Sequence, residues 1–150
     1  SDVVLSCDGN TNASTTDFNA IAASSSYNGG VYVSGDWIAG ASLSGQTTYA
    51  TWNSSGYSAS YNAFTSAGAA FNSAINKTGK TALMLYSDRH SAGTVPTDSE
   101  NVLFTDADAA GTTTDPKLDI THAAAGGDGT DMSWPLTNMP ILIIPRVIGY

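Results

Sequence analysis

Thr47-Thr48-Tyr49-Ala50-Thr51-Trp52-Asn53 is the stretch on which the fold class turns. Thr48, Ala50 and Trp52 fall on one side of an extended chain, with Thr47, Tyr49 and Thr51 on the other. That is the period of a half-buried strand. Tyr57 to Thr65 repeats it, with Tyr57, Ala59, Tyr61 and Ala63 alternating against Ser58, Ser60 and Asn62. Short alternating runs separated by Gly and Asn turns predict an antiparallel β-sandwich.

Working outward, Val3 to Cys7 reads as a short strand that runs into a dense turn signal, Asp8-Gly9-Asn10-Thr11-Asn12. Asp17 to Ala23 reads as a helical turn or a loop, and Val31-Tyr32-Val33 as a strand. Ser66 to Asn76 changes period. Ala67, Ala70, Phe71, Ala74 and Ile75 recur at helical spacing, with Ser66 as N-cap and Gly79 as stop, so one short helix is predicted there. Thr81 to Ser87 is the most apolar strand and is expected to be central. Asn101 to Thr105 and Lys117 to His122 complete the set, with Leu118 and Ile120 pointing inward.

The organisation expected is therefore a β-sandwich over residues 1–122, a Gly/Ala linker over 123–131 and an apolar, Pro-rich segment over 132–150. Ile141, Leu142, Ile143 and Ile144 stand between Pro140 and Pro145 and are too apolar to be left in water. Two readings stay open. The segment is the last strand of its own sheet, or it is an arm that packs, together with Trp134, on another copy. The linker before it suits the arm.

Composition excludes several classes. Five basic residues against 13 acidic ones give a net charge of -8, so neither a nucleic-acid duplex nor an anionic membrane is an expected partner. The longest apolar run is far too short to span a bilayer. Cys7 is the only cysteine and reads as a small buried hydrophobe. No phosphate-binding loop, dinucleotide fingerprint, nucleophile elbow or zinc spacing is present. His90 and His122 are the only histidines. The chain is therefore not expected to be an enzyme, and no cofactor is expected.

Two binding chemistries remain. Asp8, Asn10 and Asn12 place oxygen side chains at alternate positions, as the first half of a calcium loop does, and Asp106 with Asp108 is a second such start. In the first, Ala13 and Asn19 stand where such a loop has its turn Gly and closing Glu; the second, with Gly111, is likewise incomplete. Trp37, Trp52, Tyr49 and Tyr57 are candidates for stacking on sugar rings, against the alternative that they are core and cross-strand pairs. Asn12-Ala13-Ser14, Asn53-Ser54-Ser55 and Asn76-Lys77-Thr78 match the N-glycosylation acceptor pattern.

A resemblance covers roughly residues 31–122. Trp52-Asn53, Tyr61-Asn62-Ala63-Phe64-Thr65, the helix to Asn76, Leu83-Met84-Leu85 and Ser87-Asp88-Arg89 come in a familiar order. Asn101 to Asp108, Gly111-Thr112 and Asp115-Pro116-Lys117-Leu118-Asp119-Ile120-Thr121-His122 complete it. The chain resembles the jelly-roll β-sandwich domains of the DNRLRE type, with His122 where that family commonly has Tyr. The resemblance implies an extracellular structural or binding role, as on phage structural proteins and secreted bacterial surface proteins, and no fixed catalytic residues. The function expected is a non-enzymatic assembly domain of a virion surface, tail fibre or appendage, contacting copies of itself or other subunits. The alternative is a carbohydrate-binding module that attaches to surface glycans.

Overall fold

The computed structural model describes residues 2–25, 27, 38–95, 100–107 and 110–121. In chain order these form β1 (Asp2–Asn12), β2 (Asn19–Ser24), α1 (Gly40–Leu43), β3 (Thr48–Asn53), β4 (Tyr61–Ala63), β5 (Thr65–Ser66), α2 (Ala69–Ala74), β6 (Leu83–Ser87), α3 (Asp88–Ser91), β7 (Val102–Phe104) and β8 (Lys117–Thr121). Every strand pairing is antiparallel. The fold is an all-β, sandwich-like pair of four-stranded sheets.

The long β1 is the spine of the first sheet. Its middle pairs with β4, Cys7 standing opposite Asn62. Its other side is shared in tandem, by β8 along Asp2–Ser6 and by β7 along Gly9–Asn12. The second sheet has the order β5-β3-β2-β6. The chain passes between the sheets at a single residue, Phe64, which lies between β4 and β5.

The inner faces show why the sheets pack. Val3, Leu5 and Cys7 alternate along β1 and are buried. Opposing them, Ala20, Ala22 and Ala50 are buried on β2 and β3, and small side chains allow close approach. Larger rings fill the other end. Trp52, Phe64 and Phe104 form a closed triangle, with centroids 6.1 Å, 5.4 Å and 6.2 Å apart for the Trp52–Phe64, Trp52–Phe104 and Phe64–Phe104 pairs. Such pairs add about 0.5–1.5 kcal/mol each beyond area burial. The short α2 touches both β3 and β1, and its Phe71 is fully buried and stacked on Tyr49 at 5.7 Å.

Several local expectations are corrected. Asp8 to Asn12 is strand, although its composition reads as a turn. Both sides of the backbone are engaged there: Gly9 N–H donates to Ser60 O and Asp8 O accepts from Thr105 N–H, each at 2.9 Å. A register irregularity between Gly9 and Thr11 accommodates the turn-forming residues. Asn19 to Ser24 is likewise a strand, held on both sides by β3 and β6. Tyr57 to Thr65 does not run as one strand. A 3-10 turn at Ser54–Gly56 and a bend lead into β4, and the sheet change at Phe64 divides the rest.

The helix is shorter than its period suggests. Ser66 belongs to β5, where its Oγ accepts from Gly68 N–H at 3.1 Å. Gly68, with φ of 62°, occupies the N-cap, and Ile75 the C-cap. Such a φ favours glycine. Among the described residues β6 lies at the end of its sheet, beyond β2, and not at its centre. Its continuous apolar run reflects partial cover on both faces: Leu83 and Leu85 pack on the core, and Tyr86 OH donates to Leu43 O of α1 at 3.2 Å. Leu118 packs against the core as expected, whereas Ile120 is 44% exposed.

Candidate functional site

Of the sequence-derived aromatics, the three among the described residues do not form an exposed platform. Trp52 is buried in the ring triangle, Tyr49 is half-buried on Phe71, and Tyr57 is half-buried against the core. Trp37 lies outside the described residues, as do Asp108, His122, Trp134, Ile141, Leu142, Ile143 and Ile144.

The oxygen-bearing residues of the first calcium candidate sit on a strand instead of a loop, so alternate residues are about 7 Å apart along it. Their side chains are used locally. Asp8 Oδ2 accepts from Thr105 Oγ1 at 3.3 Å, Asn10 Oδ1 from Thr11 Oγ1 at 2.9 Å, and Asn12 Oδ1 from Ser14 N–H at 2.9 Å. Asp106 is exposed. Among the described residues no group of three His, Cys, Asp or Glu side chains could hold a metal ion. Each glycosylation pattern folds as an Asx turn: Asn12, Asn53 and Asn76 accept from the N–H of Ser14, Ser55 and Thr78 at 2.9, 2.9 and 3.0 Å.

What the structure does bring together is a solvent-open hollow of about 480 Å³ between the ends of β2 and β3 and strand β4. Its walls are fixed by amides. Asn53 Nδ2 donates to Asn19 Oδ1 at 3.0 Å, and Asn19 donates to both carboxylate oxygens of Asp88, at 3.1 Å from its backbone N–H and 2.7 Å from Nδ2. This relay ties β3 to β2 and to the start of α3. Beneath it, the hydroxyl of buried Ser54 accepts from Phe18 N–H at 3.0 Å and donates to Asp17 Oδ1 at 3.1 Å.

Asn62 holds the opposite wall. It is 3% exposed; its Oδ1 accepts from Ser58 N–H, and its Nδ2 lies within bonding distance of the carbonyls of Cys7, Ser58 and Ser60. Beside it, Tyr61 OH donates to the carbonyls of Thr113 and Asp115, and Lys117 Nζ lies 3.5 Å from the Tyr61 ring centroid. Sequence reading missed Asn19, Tyr61 and Asn62 as wall residues. In a chain this rich in Asn and Ser nothing marks one amide as buried. The one legible signal was the Asn53-Ser54-Ser55 turn.

A second, smaller cleft of about 130 Å³ is lined by Phe18, Ser87, Arg89, His90, Thr94 and Glu100. Arg89 Nη1 pairs with Glu100 Oε1 at 2.8 Å, and the Glu100 side chain is 4% exposed. Ser87 Oγ caps α3 by accepting from His90 N–H at 3.1 Å. These contacts tie the residues before β7 to α3.

Cys7 is fully buried, as its sequence context implied. Burial pushes its thiol up from 9.0 to about 12. No helix among the described residues is long and apolar enough to cross a membrane. No protein-family model matches the chain, and no curated protein and no solved structure shows significant similarity to it.

Proposed function

We propose that the chain is a non-enzymatic structural domain of an extracellular or virion-surface assembly, such as a tail fibre or appendage, and that it contacts copies of itself. The observation behind this reading is the incomplete cover of the first sheet at β8. Ile120 stands opposite Val3 in register, on the inner face, yet Val3 is 1% exposed and Ile120 44%. Among the described residues β8 pairs only with β1. Its other edge, which no described strand pairs, is where a further strand would add. The sequence supplies a candidate in Ile141 to Ile144, whose flanking prolines suit an added edge strand. The resemblance to DNRLRE-type domains points the same way. Light scattering of the native chain and of Ile120→Lys tests the reading, because a charge on an edge strand blocks strand addition.

A further inference from the structure

We propose that the hollow beside Trp52 is a binding site for a neutral glycan, in which the indole Nε1–H of Trp52 donates to a sugar oxygen. This is independent of the assembly reading and differs from aromatic stacking. Among the described residues, none of those that line the hollow is charged, in a chain that carries 13 acidic side chains. An uncharged ligand is the one such a site selects. Its volume of about 480 Å³ falls among those of small-molecule sites.

The groups around it suit a polyol. Thr51, Ser55, Ser58 and Thr65 line the hollow, and no hydrogen bond to a described residue uses their hydroxyls. The amides that fix the walls are engaged, Asn53 with Asn19, Asn19 with Asp88 and Asn62 with Ser58 N–H, so the free hydroxyls stand on a rigid frame. Prior ordering of this kind lowers the entropic cost of binding.

Trp52 supplies the most specific feature. The residue is 8% exposed, and a buried indole N–H ordinarily finds an acceptor. Here Nε1 makes no hydrogen bond to a described residue. The side of the hollow next to it is formed by Gly56, where an added Cβ would lie 4.0 Å from Nε1. Glycine keeps the approach to the donor clear, and a larger side chain there would cover it.

The test is a titration of the ¹⁵N-labelled full chain, followed by amide and indole resonances. Trp52→Phe assigns the Trp52 indole peak among the three tryptophans. The probes are neutral trisaccharides of gluco, galacto, manno and N-acetylglucosamine type. At least one is expected to move the Trp52 indole peak and the Asn53 side-chain amide peaks saturably. In Trp52→Phe, read on Asn53, affinity should fall about fivefold, the effect of one neutral hydrogen bond. Gly56→Val should abolish the response, and Ser55→Trp, which fills the hollow from an exposed position, provides the same block should Gly56→Val misfold. No saturable shift with any probe overturns the proposal, as does a response that survives both blocking variants. Light scattering reads assembly separately, so the two proposals fail independently.

Discussion

Gly9 lies directly under the Ser58 carbonyl: a Cβ at Gly9 would stand 2.1 Å from Ser58 O and 2.9 Å from Asn62 Nδ2. The bend leading into β4 therefore rests on the bare backbone of β1. Gly9→Ala must lift that bend and break the Gly9–Ser60 hydrogen bond. The expected cost is about 3 kcal/mol or more, read by urea denaturation.

Asn62 holds the same bend from the other side. Asn62→Ala leaves Ser58 N–H and the Ser58 carbonyl without their partner and removes one of the two donors to the Ser60 carbonyl, which keeps Gly9 N–H. A loss of about 3 kcal/mol is expected. Asn62→Asp should be worse, since a carboxylate cannot donate to those carbonyls. Denaturation midpoints of the two variants check the order.

Phe64 joins the sheets and packs against Trp52 and Phe104. Phe64→Ala opens a cavity at the corner and should cost about 3–5 kcal/mol. Leu103, 54% exposed on β7, is the control: Leu103→Ala should stay within about 0.5 kcal/mol of the native chain.

Cys7 gives the fold a dependence on alkaline pH. An unfolded chain ionises its thiol above 9.0, whereas the folded one keeps it protonated to about 12. Between those values the unfolded state holds fewer protons, so stability is full below that window and falls through it, by about 1.4 kcal/mol per pH unit. Other groups titrate in the same range, so the comparison is with Cys7→Ala. From about pH 8 to about pH 10.5 the native chain should lose about 2 kcal/mol more than the variant. The native thiol should also resist Ellman's reagent until the chain unfolds.

The two-sheet architecture was legible because it depends on a local quantity, the alternation around Trp52. Strand rank and extent were not. β2 reads weakly, since Ala20, Ala22 and Ala23 carry little hydropathy, yet it takes a central place because small side chains let the sheets approach. Asp8 to Asn12 reads as a turn and becomes strand through pairing with residues more than fifty positions away. The hollow was the least legible part. Trp52 and Asn53 could be read from sequence, but the partners Asn19 and Asn62 come from β2 and β4, and only the sheet registers bring them to one place.

Light scattering coupled to size exclusion, run on the native chain and on Ile120→Lys from micromolar to millimolar concentration, tests the proposed assembly role most directly. The native chain is expected to self-associate as concentration rises, and Ile120→Lys to remain a folded monomer with an unchanged circular-dichroism spectrum. A native chain that stays monomeric across the whole range, or an Ile120→Lys variant that associates as the native chain does, would contradict the account.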